Sequence, residues 1–283
     1  MNENDCKDKE TTLFRCPVCG KNLHRENGKS LRCDNLHNFD IASGGYVNLL
    51  SQHAHKGSVH GDNREMINAR AFFLDRGYYS ELRDRLCDEI KSRLPDNSVI
   101  LDAGCGEGYY DEKIIMCMQN PDFYGIDLSK DALIRQKKRS FRLKTAVASV
   151  YHMPFCDSVF DGILSVFSPF AHDEFLRVLK PGGYIFSVIP SKRHLFGLKE
   201  AIYDHPYENT VAPYELCGLD FIGKREINYT VDIDSHEEIE ALFKMTPYYY
   251  RTDDAGKQRA LSLTHLETEI SFEILTYRKS RHQ

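Results

Sequence analysis

Alternating glycines are the first feature of this sequence with the spacing of a chemical site. They occupy positions 104, 106 and 108 in the stretch from Asp102 to Gly108, D-A-G-C-G-E-G, directly after the apolar run Val99 to Leu101. Glycine lets a backbone approach a ligand closely where a strand turns into a helix. Dinucleotide-binding loops read GxGxxG, whereas this loop reads GxGxG, which favours S-adenosylmethionine over NAD. The structural alternative is a plain strand-to-helix turn.

Landmarks further along the chain strengthen the interpretation of this loop. Asp127 ends a second apolar run, nineteen residues after Gly108, where an acidic side chain can accept hydrogen bonds from both hydroxyls of a ribose. The stretch from Arg177 to Gly183, R-V-L-K-P-G-G, ends a helix and turns the chain into a strand. In this order the landmarks resemble those of the class I methyltransferases. The resemblance implies an α/β fold with a Rossmann-like, seven-stranded sheet that binds S-adenosylmethionine.

Three cysteines and one histidine near the amino end have the spacing of zinc ligands. Cys16 and Cys19 are three residues apart, and Cys33 and His37 follow after thirteen intervening residues. Three thiolates and one imidazole complete the tetrahedron that Zn²⁺ prefers and leave no open position, so we expect a structural ion. A redox CxxC motif is the competing interpretation, but it requires a preceding βαβ unit that the sequence lacks. A module of fewer than about 40 residues needs such a metal to fold.

A third motif narrows the resemblance from a superfamily to one family. The stretch from Phe39 to Leu50 reads F-D-I-A-S-G-G-Y-V-N-L-L; it follows the cysteine and histidine pairs and precedes the glycine loop. This order is similar to that of the RlmA family, and the likeness runs from about Phe14 to Tyr277. The resemblance implies methylation of N1 of a guanine in a hairpin of 23S ribosomal RNA, which the zinc module grips. One branch of the family confers tylosin resistance.

The resemblance also assigns roles to individual residues. Tyr79 and His194 match a tyrosine and a histidine that contact the cofactor in the family. Independently of the resemblance, we expect Glu107 in the glycine loop to face the cofactor. The predicted cofactor site therefore comprises Tyr79, Gly104, Gly106, Glu107, Gly108, Asp127 and His194. Phe167 and Phe170 follow the fourth strand, where each can either stack an extruded base or pack in the core. The sequence does not identify the group that takes the proton from N1.

Composition limits the class of protein. The chain has 283 residues, a formal net charge of −5, 41% hydrophobic residues and 28% charged residues, which is typical of a globular protein. No apolar stretch approaches the roughly 20 residues of a membrane span, and Met1 to Glu10 lacks the apolar core of a signal peptide. We expect a cytoplasmic protein whose nine cysteines are metal ligands and buried thiols rather than disulfides.

Three segments follow from these patterns. We predict a disordered tail at residues 1–11, a zinc-binding RNA-recognition module at residues 12–50 and a class I methyltransferase domain at residues 51–283. The tail is polar and charged, so it has nothing to bury. Residues 51–61 are rich in His, Gly and Ser, which predicts a linker or a mobile loop at the start of the third segment.

Two questions stay open at this level. The segment from Lys130 to Lys144 carries seven basic residues, and Asp131 is its one acidic residue. A solvated helix face and a contact with RNA phosphates explain this charge equally well. The function also has two alternatives. One is a small-molecule methyltransferase, which would leave the zinc module idle, and the other is a regulator that binds zinc and the cofactor without turnover. The sequence does not decide whether the chain forms a homodimer.

Overall fold

Twelve strands form two sheets in the part of the chain that the structure describes. The structure is a computed structural model, and it describes residues 11–50, 61–139 and 142–280. The predicted tail and the predicted linker lie outside these residues, apart from Thr11 and Gly61. The strands are β1 Thr11–Arg15, β2 Asn22–Glu26, β3 Ser30–Arg32, β4 Asn38–Asp40, β5 Val47–Asn48, β6 Val99–Ala103, β7 Asp122–Asp127, β8 Leu143–Val147, β9 Phe160–Val166, β10 Leu179–Pro190, β11 Leu219–Ile233 and β12 Leu266–Lys279.

Helices pack on both faces of the larger sheet. Within the described residues they are α1 Arg64–Asp75, α2 Ser80–Arg93, α3 Tyr109–Cys117, α4 Lys130–Gln136, α5 His172–Val178, α6 Phe196–Ile202, α7 His236–Lys244, α8 Tyr248–Arg251 and α9 Asp254–Leu261. None of these helices is both long and apolar enough to cross a membrane.

The larger sheet has the order β11-β12-β10-β9-β6-β7-β8-β5. Strand β6 pairs in parallel with β7 on one side and with β9 on the other, so the strand order reverses at β6. Ligands of open α/β sheets bind outside the carboxyl ends of the strands at such a reversal. Strand β12 lies antiparallel between β10 and β11. The seven strands from β6 to β12 confirm the predicted sheet, and β5 adds an eighth strand at the edge.

The central strands are buried because their residues are apolar on both faces. Ile100, Leu101 and Ala103 of β6 have no exposed surface, and neither does Phe123 of β7. An unbroken apolar run of this kind suits a parallel strand between two layers of helices. The short loop after β6 is thereby held rigidly at the carboxyl edge of the sheet, where it can position a ligand.

The smaller sheet, which we call the ribbon (β1 to β4), packs directly on the larger one. Strand β5 follows the ribbon in the chain and pairs in parallel with β8 of the larger sheet. The ring of Phe14 lies 5.3 Å from the ring of Tyr124 and 5.1 Å from that of Phe155, measured between centroids. The two sheets therefore share one hydrophobic core. Strand β5 falls within the predicted zinc-binding segment and yet belongs to the larger sheet, and the division of the chain at residue 50 stays a prediction.

Candidate functional site

The four predicted zinc ligands converge at one end of the ribbon. Their ligand atoms all lie within 4.8 Å of one another. The Sγ atoms of Cys16 and Cys33 each lie 3.4 Å from His37 Nδ1, and the Sγ atoms of Cys19 and Cys33 are 3.6 Å apart. A tetrahedral Zn²⁺ with Zn–S distances of about 2.3 Å separates its ligand atoms by about 3.5–3.8 Å. The cluster therefore fits one zinc ion held through Nδ1 of the histidine.

The local backbone favours the thiolate form of Cys19, whereas burial raises the pKa of Cys16. A backbone N–H of Lys21 directed at the Cys19 thiol lowers the pKa of Cys19 to about 6. The ribbon turn is closed by a hydrogen bond from the backbone N–H of Cys16 to the carbonyl of Lys21, 2.8 Å long. Because the ligand of Zn²⁺ is the thiolate, this backbone arrangement prepares the site for the metal.

A glycine is required at position 104, because the backbone there passes close to Ser168 at the carboxyl edge of the sheet. The φ of Gly104 is +97°, and a Cβ at this position would lie 2.4 Å from Ser168 Oγ and 2.7 Å from Ser168 Cβ. The loop after β6 thus touches the segment after β9. Gly106, with φ of +52°, has open space where its Cβ would be. That space lies over the loop, where a ligand can come close to the backbone.

Asp127 holds the glycine loop from the neighbouring strand. Its carboxylate accepts hydrogen bonds from the backbone N–H of Gly106 at 2.9 Å and from that of Ser129 at 2.7 Å. Burial raises the pKa of Asp127 above its usual range, and these two bonds act against the rise. Each carboxylate oxygen has a second lone pair. The side chain is therefore placed to accept hydroxyl hydrogen bonds from a ribose as well.

Glu107 points toward helix α4 and the chain after it. Glu107 is 4% exposed. Its carboxylate lies 2.9 Å from Arg139 Nη2 and 3.3 Å from Arg135 Nε. Arg139 also binds Asp75 at 2.6 Å. Part of the basic segment predicted from the sequence thus has a structural role, because two of its arginines anchor the glycine loop. A contact between Glu107 and the cofactor stays a prediction.

Removing the Arg139 side chain should loosen this anchor. We expect Arg139→Met to lower the free energy of unfolding by about 2 kcal/mol, because Glu107 loses one of two cationic partners in a buried position. Urea denaturation of the zinc-loaded protein measures the change. Lys130→Met, a change of the same kind at an exposed position on α4, serves as the control and should cost less than about 0.5 kcal/mol. Equal stability of the two variants would contradict the anchoring role.

Tyr79 and His194 are brought together although they are 115 residues apart. Tyr79 Oη lies 3.4 Å from His194 Nε2, and the backbone N–H of Ser271 donates to His194 Nδ1 at 3.3 Å. Because Nδ1 accepts, the neutral ring carries its proton on Nε2 and donates it to the tyrosine oxygen. Burial lowers the pKa of His194 to about 3, so the ring is neutral at pH 7. The Tyr79 hydroxyl keeps its own proton for a further acceptor.

The two phenylalanines after β9 differ in their surroundings. Phe167 has a φ of +53° and is 46% exposed, and its ring centroid lies 5.1 Å from that of Phe272. Phe170 packs against Phe175 at 4.9 Å and Tyr277 at 5.9 Å. A non-glycine residue with positive φ is strained, and such strain is concentrated at functional sites. The exposed ring of Phe167 is the one that a base at the sheet edge can reach.

Sequence reasoning missed a pair of buried carboxyl groups beneath the loop. Asp102 at the end of β6 is 2% exposed and Asp111 in the first turn of α3 is 0% exposed. Burial raises the pKa of Asp102 to about 7 and that of Asp111 well above its usual range. A signal was present, because Asp111 occupies the same helix face as Ile114, Ile115 and Met118, all of which are buried.

The fold and the arrangement of its sites define a class of protein. A reversal of strand order at β6, a GxGxG loop pressed against the segment after β9, and an acidic side chain ending β7 are features of the class I S-adenosylmethionine-dependent methyltransferase fold. Residues 100–183 match the family model described as a methyltransferase domain. A zinc ribbon precedes this domain, and residues 14–58 match the model described as RlmA, N-terminal. The cofactors of the protein are S-adenosylmethionine and zinc.

Relatives identify the family within this class. The chain is 33% identical over 274 residues to the Bacillus subtilis (strain 168) protein named "Putative 23S rRNA (guanine-N(1)-)-methyltransferase YxjB", covering 91% of this chain and 93% of the relative. It is 31% identical over 250 residues to the 23S rRNA (guanine(748)-N(1))-methyltransferase of Streptomyces fradiae, covering 85% and 86%. The chain belongs to the RlmA family of 23S rRNA (guanine-N1)-methyltransferases.

A comparison with solved structures found distant similarities. A putative sarcosine dimethylglycine methyltransferase from Galdieria sulphuraria is 16% identical, with a TM-score of 0.48, covering 73% of this chain and 88% of that chain.

Proposed function

We propose that this protein transfers the methyl group of S-adenosylmethionine to N1 of a guanine in a hairpin of 23S ribosomal RNA. The observation that carries the proposal is the similarity to guanine-N1 methyltransferases across 91% of the chain, ribbon included. A small-molecule methyltransferase would leave the zinc ribbon without a part in recognising the substrate. Identification of the methylated nucleoside in unmodified 23S ribosomal RNA tests the proposal.

The residues that we propose for each site are those indicated by the sequence motifs and the family resemblance. For the metal, the proposed ligands are Cys16, Cys19, Cys33 and His37. For the cofactor, the proposed contacts are Tyr79, Gly104, Gly106, Glu107, Gly108, Asp127 and His194. Methyl transfer is an in-line displacement at a sulfonium, so the main task of these residues is to hold the methyl group toward the end of β9 and to exclude water. We place the reaction in the cytoplasm. Light scattering tests whether the protein forms a homodimer.

Phe167 is proposed to stack on the target guanine. Loss of base stacking on an aromatic side chain costs about 1–3 kcal/mol, so Phe167→Ala should lower kcat/KM for RNA about tenfold to a hundredfold. Phe167→Tyr keeps the aromatic face and should restore most of the rate. Affinity for S-adenosylhomocysteine, measured by calorimetry, should be equal in all three proteins. An unchanged kcat/KM in Phe167→Ala would exclude the stacking role.

The ribbon is proposed to bind RNA phosphates through Lys21, Arg25 and Lys29. Each phosphate contact adds about 0.7–0.9 to the slope of log affinity against log salt concentration. Changing the three residues to Gln should therefore weaken RNA binding and reduce the slope by about 2. The control removes three positive charges from α2 and α3 with Gln at Arg85, Lys91 and Lys113. A salt slope that falls equally in both triple variants would count against the ribbon as the RNA-binding face.

A further inference from the structure

Residues 61–63, which we call the entry segment, lie against the chain that follows β7. The hydroxyl of Ser129 donates a hydrogen bond to the carbonyl of Asp62 at 3.0 Å. A Cβ added at Gly61 would lie 3.0 Å from the backbone nitrogen of Ser129. The N–H on that same nitrogen donates to the Asp127 carboxylate at 2.7 Å. The entry segment therefore contacts the residue that orients the carboxylate proposed to bind the ribose.

An ion pair holds the entry segment from the side of α1. Arg70 donates to the Asp62 carboxylate through Nη1 and to the carbonyl of Met245 through Nη2, the latter at 3.5 Å. The side chains of Asp62 and Arg70 are 33% and 32% exposed, so water screens their attraction only in part. Because Met245 directly follows α7, the arginine joins the entry segment to the helices near the carboxyl end of the chain.

The ion pair is not required to begin helix α1. Asn63 caps that helix, because its side chain accepts a hydrogen bond from the backbone N–H of Met66 at 2.9 Å. The Asn63 side chain also donates to Tyr250 Oη at 2.7 Å, and Arg135 of α4 donates to Asn68 at 2.9 Å. Helix α1 is thus attached at α4 and at α8. The contact of Asp62 with Arg70 is left for a different task, which is to fix the position of the entry segment itself.

We propose that the ion pair between Asp62 and Arg70 holds the entry segment as a wall of the cofactor site, and that this wall helps to retain the ribose of S-adenosylmethionine. Ser129 is the link, because its hydroxyl bonds to the entry segment and its N–H bonds to Asp127. Asp62, Arg70 and Ser129 are positioning residues, since they act through Asp127 and not on the reacting atoms. This inference rests on the proposed contact of Asp127 with the cofactor, and it is independent of the RNA.

Calorimetry on the full-length, zinc-loaded protein tests the ion pair with two ligands. S-adenosylhomocysteine and 5′-methylthioadenosine share the ribose and differ in the amino-acid end. Asp62→Asn should weaken both by the same factor, about fivefold. Glu65→Gln is the matched control, because it breaks another ion pair of the first turn of α1, with Lys244 at 2.8 Å, and should leave both affinities unchanged. Equal weakening in the two variants, or weakening of S-adenosylhomocysteine alone, would overturn the inference.

A second variant tests whether Ser129 transmits the effect. Ser129→Ala removes the hydroxyl but keeps the backbone N–H that Asp127 accepts, and it should also weaken S-adenosylhomocysteine about fivefold. The two changes break one chain of contacts, so the double variant with Asp62→Asn should bind about as weakly as either single variant. A double variant whose loss is the product of the two single losses would contradict the link.

Kinetics separate positioning from a general loss of structure. With RNA as the substrate, Asp62→Asn should raise the KM for S-adenosylmethionine and leave kcat unchanged, because the reacting atoms are held by other residues. Arg70→Lys keeps the positive charge and should lose less affinity than Arg70→Gln. Normal affinity in Asp62→Asn would overturn this inference alone. An unmodified protein that binds neither ligand would refute the proposed cofactor site together with it.

Discussion

Replacing Cys19 with serine is expected to abolish zinc binding and to unfold the ribbon. Three ligands remain, and the free energy of binding a structural zinc, about 10–16 kcal/mol in small zinc peptides, is also the free energy that folds such a module. Metal analysis should find one zinc per chain in the unmodified protein and none in Cys19→Ser. Hydrogen exchange should show loss of protection across residues 12–40, while the strands from β6 to β12 keep theirs.

The shared core refines this expectation. Because Phe14 packs on Tyr124 and Phe155, an unfolded ribbon exposes apolar surface of the larger sheet, so that sheet should remain folded but melt at a lower temperature. Cys217→Ser is the matched control, since Cys217 is an exposed free cysteine outside the cluster. A Cys19→Ser protein that retains one zinc per chain and a protected ribbon would refute the ligand assignment.

A methyl group added at Gly104 is expected to abolish most cofactor affinity. The new Cβ would lie 2.4 Å from Ser168 Oγ at a φ of +97°. Overpacking and backbone strain together cost about 3 kcal/mol, and relief of the clash displaces the loop that receives the cofactor. We therefore expect Gly104→Ala to weaken S-adenosylhomocysteine binding by about a hundredfold in calorimetry.

Two further variants separate the clash from the strain. Gly77→Ala has the same kind of backbone strain, with φ of +85° and no atom within 4 Å of the new Cβ, so it should lower stability by about 1 kcal/mol and leave cofactor affinity unchanged. Adding Ser168→Gly to Gly104→Ala removes the atoms that clash and should recover part of the affinity. Normal affinity in Gly104→Ala alone would show that the loop does not receive the cofactor.

The features predictable from the sequence are those whose cause is local. Glycines at fixed spacing, an acidic residue at the end of an apolar run and the K-P-G-G turn each depend on a few neighbouring residues, so the class of sheet and the loop after β6 could be placed before the structure was known. The cysteine and histidine pairs are of the same kind. Their spacing alone limits the geometry to a tetrahedral cluster.

The features that could not be predicted depend on partners far away in the chain. For the basic segment from Lys130 to Lys144, the sequence did not decide between a solvated helix face and a contact with RNA. In the structure, Arg135 and Arg139 anchor Glu107, and Lys144 binds Asp122 at 2.8 Å. The pairing of β5 with β8 joins residues about a hundred positions apart. The helix pattern predicts the burial of Asp111. The burial of Asp102 could not be predicted, because the pattern of a strand does not show which helix covers it.

This protein is expected to methylate N1 of guanine in 23S ribosomal RNA. The most direct test incubates the zinc-loaded protein with methyl-labelled S-adenosylmethionine and unmodified large-subunit ribosomal RNA, digests the RNA and identifies the labelled nucleoside by mass spectrometry. We predict N1-methylguanosine from a hairpin, formed by the unmodified protein and strongly reduced in Gly104→Ala. Label in a different nucleoside, or no label in RNA from a protein that binds S-adenosylhomocysteine and zinc, would contradict the claim.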